Sequence, residues 1–400
     1  MSVLRNQGIV NLKINKRNGG YTMIRGILLC VVALAASSAS AQDVKGLKLV
    51  WELPTPKEFP QGIVVDARGR PFLHVALKNG GLLVLDISNK ERPKVAAKLG
   101  TDRFADLDAM HLTQRGDHLY LALGDFFNAR GTPAGFAIVD VRNPAQPRVV
   151  SVWKSKETLH GSAIVIVEGN HAYLGAMSEG VMIFDVSKPD KIQHVSTFQP
   201  DVHFPRKNPN KVQHPNARGL VLRGNLLYVA YDAGGLRVLD VADKRKPKEI
   251  GRYINKKMEH KQQAYNNLAL EKNLLYIACD YAGLEIVDVS DPRNIRPVGW
   301  WNPWEAHLLK SLWFNSAGHA NQIELDVKTK RAYLSAGGSE LQIVDVSTPS
   351  QPRLAGQYRD AKGKVGVWGL TLGPDRVYLA YVTAVIPFAG TWAGVKAVGR

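Results

Sequence analysis

Residues 274–290 read LLYIACDYAGLEIVDVS, and this stretch decides the fold. Leu274 to Ala278 and Leu284 to Asp288 are two short apolar runs, rich in β-branched and aromatic residues, on either side of a glycine turn. That is the pattern of a β-hairpin buried on both faces. The phrase recurs along the chain, at residues 72–88, 119–141, 172–187, 227–241, 275–290, 332–347 and 377–398. Six copies end in an aspartate, at Asp86, Asp140, Asp185, Asp240, Asp288 and Asp345, and the seventh has Gly399 in its place. A period of about 50 residues built from strand-type runs indicates one propeller blade per copy. Apolar residues at helical spacing, which a helical solenoid requires, are missing from these runs.

Each copy reads as four strands, a to d. Strand a is a short apolar run such as Gly219-Leu220-Val221-Leu222, followed by the tight turn Arg223-Gly224-Asn225. The quoted hairpin supplies strands b and c. After strand c, a turn often containing Ser-x-Pro leads to strand d. The aspartate before that turn is placed to accept backbone N–H bonds within it, a structural role. Strand d follows the motif six times, near Val95, Val149, Ile192, Glu249, Ile295 and Arg353. The seventh motif has no residues left for one, and Gly46-Leu47-Lys48-Leu49-Val50-Trp51 is expected to fill the gap. Ring closure by this N-terminal strand would remove the open sheet edges that β-proteins must protect. The expected fold is therefore all-β: a seven-bladed β-propeller of four-stranded blades. The recurring Leu-x-Val-x-Asp-Val phrase resembles the LVIVD-repeat family of bacterial exported proteins over nearly all of residues 46–400. The resemblance implies a propeller and carries no catalytic motif.

The composition agrees with a folded chain. Of 400 residues, 45% are hydrophobic and 22% charged, which excludes wholesale disorder. Two cysteines, Cys30 and Cys279, exclude a disulfide scaffold and multi-cysteine metal sites. Residues 1–41 are read as a secretory signal peptide, with Met23 an alternative start. Arg25 supplies its positive charge, Ile27 to Ala36 its apolar stretch, and Ala39-Ser40-Ala41 its cleavage site. Cys30 lacks the small residue before it that a lipoprotein cysteine needs. Residues 42–400 are then a single propeller domain, periplasmic or extracellular, with no transmembrane segment in the mature chain. The formal charge is +17, and the chain stays basic after the leader is removed.

In the usual propeller winding, the d-to-a and b-to-c connections share one face. The long insertions fall there: Asp125 to Gly135, Gln199 to Asn216, Asn255 to Asn266 and Asn302 to Ala320. Binding residues concentrate on loops carried by rigid scaffolds, so this face is the expected functional one. Superposing the copies puts two rings at the start of strand a. One is Gln61, Met110, Ser162, Arg218, Asn266, Asn321 and Trp368. The other, two residues earlier, is Phe59, Asp108, His160, Asn216, Ala264, His319 and Gly366. From these, Asp108, His160, Asn216, Arg218, Asn266, His319 and Asn321 are the candidate ligand-binding residues of a polar funnel at the channel mouth. Water, a small polar ligand or an envelope partner's side chain would each suit it. Zinc wants three or four close ligands, and His160 and His319 lie three blades apart, so no metal and no cofactor is expected. A periplasmic hydrolase or lyase using this funnel is the alternative, by fold analogy alone.

Trp304 and Trp313 are candidate partner-binding residues, with local packing the competing role. With Leu308 and Leu312 they have the spacing of a short amphipathic helix. Phe204 to Lys211 is a basic loop, and Lys90, Lys188, Lys244, Arg245, Lys246 and Arg293 make the opposite face basic as well. That charge suits either solvation or peripheral contact with an anionic envelope surface. No nucleic-acid motif is found, and export disfavours that partner. P-loop, His-Glu-x-x-His, Cys-x-x-Cys and haem-attachment motifs are missing. Ala176-Met177-Ser178-Glu179-Gly180 imitates a nucleophile elbow, but it falls in a b-to-c hairpin and reads as a glycine turn.

Overall fold

A computed structural model describes residues 45–207, 209, 214–360, 365–383 and 390–400. The expected leader, residues 1–41, lies outside them. The described chain forms seven sheets of four antiparallel strands, in sequence order in all but the last, and the sixth carries a short fifth strand. The fifth blade shows the plan, with strands Asn267–Glu271, Leu274–Ala278, Leu284–Asp288 and Arg296–Trp301. The innermost strand of each blade touches those on either side, and that of the last blade, Val367–Leu372, meets that of the first, Gly62–Val65. This is the seven-bladed propeller expected from the repeats.

Closure is made by the N-terminal strand Leu49–Pro54. It pairs antiparallel with Gly394–Gly399 and becomes the outer strand of the last blade, with Trp51 opposite Ala397 and Leu53 opposite Val395. A structural signature identifies it as a true strand d. In every blade the c–d pairing skips one residue, at Ala96, Val150, Val195, Ile250, Val298 and Ala355, and the closing strand skips Val50 at the equivalent place. Such bulges bend and twist a strand. Lys45–Gly46 adds a short parallel pairing to Gly356 and Gln357 of the sixth blade.

Strands b and c are buried on both faces, which is why their sequences are continuous apolar runs rather than alternating ones. The core lies between blades. One cluster joins Trp51, Tyr378, Val395 and Ala397 of the last blade to Ile63, Val75 and Leu85 of the first. A second contact recurs farther out, at the residue after the bulge in four blades. Ser151 Oγ donates to the Pro189 carbonyl at 2.5 Å and Ser196 Oγ to the Lys244 carbonyl at 2.6 Å. In both cases the acceptor sits in the next blade's c–d turn. At Gly251 and Gly299 the equivalent carbonyls, of Pro292 and Pro349, come so close that a Cβ would overlap them.

The motif aspartates play the structural role expected of them. Each carboxylate accepts the backbone N–H two residues on: Asp86 from Ser88 at 2.8 Å, Asp185 from Ser187 at 2.8 Å, Asp240 from Ala242 at 2.9 Å and Asp288 from Ser290 at 2.8 Å. Asp140 and Asp345 do the same, both at 2.9 Å. Hydrogen bonding from Ser88 and Ser187 holds Asp86 and Asp185 below the usual carboxylate range. One expectation is corrected. No helix forms from Trp304 to Trp313; the segment is a series of turns ending in a 3-10 turn at Trp313–Asn315. Its apolar residues are spaced by packing onto the propeller, as described below.

Two substitutions test this account. Trp51→Ala should cost ~3–5 kcal/mol, the usual loss for a buried tryptophan, and Leu49→Ala in the same strand much less, because Leu49 is 40% exposed. Gly251→Ala should cost ~1–3 kcal/mol by overpacking, whereas Gly46→Ala, with open space around it, should leave the urea midpoint unchanged.

Candidate functional site

The channel mouth is built by a backbone device that repeats from blade to blade. Directly after strand b, one residue adopts a left-handed conformation: Lys78 (φ 51°), Gly124 (101°), Met177 (49°), Asp232 (47°), Asp280 (42°) and Gly337 (56°). That residue bridges to the start of strand a in the next blade, as in Lys78 to Ala109, Met177 to Ala217, Asp232 to Tyr265 and Asp280 to Ala320. Side chains at this position are thus brought among the strand-a residues picked out from the sequence.

The structure gathers those residues into separate groups. Asn216 Nδ2 donates to Asp232 Oδ2 at 3.2 Å. Burial pushes the Asp232 carboxyl up to about 6, against the opposing pull of the Arg218 charge. The Arg218 guanidinium lies 4.9 Å from the centre of the Phe126 ring and 5.6 Å from that of Trp368. Phe127 meets Trp368 edge-on at 5.1 Å. These side chains come from the second, fourth and seventh blades, so they meet only because the loop after Gly124 reaches over the mouth. The same loop is held at its root by Lys78, whose Nζ is 3.0 Å from Asp125 Oδ2. Asp108 lies close by, and its carboxyl is raised by burial and then by the Asp125 charge, with Lys78 opposing.

Asn266 Nδ2 donates to the Ala320 carbonyl at 3.0 Å and faces Asp280 Oδ2 at 3.3 Å and Asn321 Oδ1 at 3.4 Å. His319 Nδ1 bonds Asp280 Oδ1. His160 Nδ1 bonds Ser178 Oγ at 2.7 Å instead. His160 and His319 therefore keep different partners. Among the described residues no group of three or more His, Cys, Asp or Glu is placed to hold a metal ion. Three polar atoms of the first of the two residue rings at the start of strand a, Gln61 Oε1, Ser162 Oγ and Asn321 Nδ2, are buried with no hydrogen-bond partner among the described residues. Leaving such an atom unpaired costs roughly 1–3 kcal/mol, which favours a bound hydrogen-bonding group at the mouth, water included.

Sequence reasoning missed Lys78, Phe126, Phe127, Asp232 and Asp280. The aligned position after strand b, charged in three blades, was the available signal for Lys78 and the two aspartates. Ser178 does lie in a glycine turn. The two N–H groups that follow it are spent within the turn, Glu179 N–H on the Ala176 carbonyl and Gly180 N–H on that of Met177. Trp304 and Trp313 are half-buried. Trp304 lies on Gly318 and 5.8 Å from the Trp301 ring, while Trp313 packs near Met258 and Ala306 and meets the His319 ring at 6.0 Å.

Comparison with known proteins adds a family and a fold. The LVIVD repeat profile matches residues 71–101, 108–153, 161–198, 215–255, 265–299 and 317–360. A search of curated proteins finds no significant match. Among solved structures, U3-55K is similar with a TM-score of 0.60 at 11% identity over 89% of this chain and 98% of that one. The RRP9 WD40 repeats give 0.60 at 11% over 88% and 99%. Sqt1 of Saccharomyces cerevisiae gives 0.55 at 10% over 87% and 97%. At these identities the likeness concerns the fold alone.

Asp232 gives the mouth a pH signature. Its folded pKa of about 6 lies above the unfolded value of about 3.9, so its contribution to stability is complete below pH ~4 and is lost as pH rises through 6. Asp232→Asn should raise the melting temperature at pH 8 and leave it unchanged at pH 4; a difference that does not vary with pH would contradict this placement.

Proposed function

The chain belongs to the LVIVD repeat family, and we propose that it is an exported, non-enzymatic binding propeller that takes a small polar ligand, or the polar side chain of a partner protein, at the mouth of its channel on the long-loop face. The observation that carries this reading is the grouping of Asn216, Arg218 and Asp232 beneath Phe126 and Trp368, with unpaired polar atoms of Gln61, Ser162 and Asn321 in the same ring. A site with few charged groups, flanking amides and an aromatic cover suits recognition by hydrogen bonding against an apolar surface. Export rests on the sequence of Met23 to Ala41. Catalysis in the funnel has less support, because His160 and His319 are engaged separately.

The test is affinity capture from envelope extract and a thermal-shift screen of small polar compounds. Both should be run on the wild type, on Arg218→Ala with Asn216→Ala, and on Lys244→Glu of the opposite face. The mouth variant should lose capture or ligand-induced stabilisation at least tenfold while Lys244→Glu keeps it. Equal retention by all three would reject the mouth. A turnover activity abolished by His160→Ala or His319→Ala would support the hydrolase or lyase reading. Cell fractionation and N-terminal sequencing, expected to start at Gln42, test export.

A further inference from the structure

Away from the mouth, the long-loop face carries a second feature. Within six residues Leu309 is 86% exposed, Phe314 67% and Leu312 44%, an unusual concentration of large apolar side chains facing water. This exposure is held in place rather than left loose. Lys261, itself almost fully buried, donates from Nζ to the carbonyls of Leu308 and Ser311, both at 2.7 Å, and so clamps the turn on either side of Leu309. Asn302 Oδ1 accepts the Ala306 N–H at 3.0 Å, and Asn315 Oδ1 that of Leu312 at 2.8 Å. Trp304 and Trp313 anchor the base in the propeller. Burying a lysine to hold a loop costs desolvation, and what the loop presents outward is apolar.

The surroundings are basic. Arg206 donates to the Lys261 carbonyl at 3.0 Å, which ties a third loop to the same clamp. Exposed Lys207, Lys256, Lys257 and Lys310 stand in these three loops against exposed Asp201, Glu259 and Glu305. Of the three acids, Asp201 is paired with Arg252 at 3.0 Å and Glu305 with Lys310 at 3.7 Å. Apolar tips beside exposed lysines match an anionic bilayer, whose headgroups attract the cations while the acyl boundary takes the leucine and phenylalanine side chains. Among the described residues no helix is long and apolar enough to cross a membrane, so contact of this kind would be peripheral. We infer that the Leu309–Phe314 loop is a membrane-docking tip that seats the long-loop face on an anionic lipid surface. The proposal does not depend on what the channel mouth binds.

Vesicle flotation of the full chain tests it, with vesicles of phosphatidylcholine alone and of phosphatidylcholine with about one-third phosphatidylglycerol. The wild type should float with the anionic vesicles, weakly or not at all with the neutral ones, and less as salt rises. Leu309→Ser with Phe314→Ser should weaken binding about tenfold or more at an unchanged melting temperature, since neither side chain packs in the core. Lys244→Glu with Arg245→Glu on the opposite face should weaken it far less. No flotation of the wild type, full binding by the apolar-tip variant, or equal loss in the opposite-face variant overturns the proposal. So does a concentration-dependent dimer that the tip variant abolishes, which would assign the tip to a second copy of the chain.

Discussion

The pairing of Leu49–Pro54 with Gly394–Gly399 is the contact on which the rest of the molecule depends. Each blade buries its strands by packing on two neighbours, so an open row of seven would leave two apolar faces in water. Closure removes both at once: the cluster of Trp51, Ile63, Val75, Tyr378 and Val395 is the seam where the chain's beginning and end become a single core. The mouth is a consequence of the same seam. Trp368 in the last blade can meet Phe127 in the second, at 5.1 Å, only across a completed ring.

A propeller this regular has to attach irregular loops without loosening its blades. The position three residues before the motif aspartate, or before Gly399 in the last blade, shows how. In the third blade it is Met182, an ordinary core residue, but in later blades it is Arg237, Glu285 and Lys396, all buried. Arg237 Nη2 donates to the carbonyls of Asp201 and Phe204 at 2.9 and 2.8 Å. Glu285 accepts from Asn255 at 2.8 Å and Tyr265 at 2.9 Å, and burial lifts its carboxyl to about 7. Lys396 Nζ reaches Asp360 at 3.0 Å. Buried charges of this kind are weak sources of stability; here each converts a long connection into a fixed one. The charged core positions and the long loops occur together because one holds the other.

The architecture was legible because propeller geometry is local and repetitive. Period, hairpin turns, the Asp turn and the absent last strand d are each written within a few neighbouring residues, and Gly46 to Trp51 could be matched to the gap by its apolar run. The groups at the mouth were only half legible. Superposing copies picks out Asn216, Arg218, Asn266, His319 and Asn321, and the structure puts Asn216 on Asp232, Asn266 on Asn321 and His319 on Asp280. Their partners do not follow. Phe126 reaches Arg218 through a loop folded across the axis, a contact that no periodicity encodes. The helix expected near Trp304 failed for a related reason: the loop's apolar spacing reflects tertiary packing onto Gly318, Trp301 and Met258, which overrides local pattern.

The narrowness of the ring limits which side chains the innermost strands can carry at their closest joints. Innermost strands of adjacent blades approach so closely that a Cβ on Gly62 would lie 3.0 Å from the His111 Cα, and one on Gly219 2.6 Å from that of Asn267; on Gly369 it would overlap the Gln61 carbonyl. Glycine is required at these points because any side chain would push the blades apart, and widening one joint would strain the closing pair. Where no glycine is needed the same position carries His111, Ala163, Asn267 or Gln322, so the restriction is local to three joints. The residues just before strand a, and those just after strand b, lie beyond the tightest joint and can differ from blade to blade. Asp232, Asp280, Arg218 and Asn266 occupy those positions.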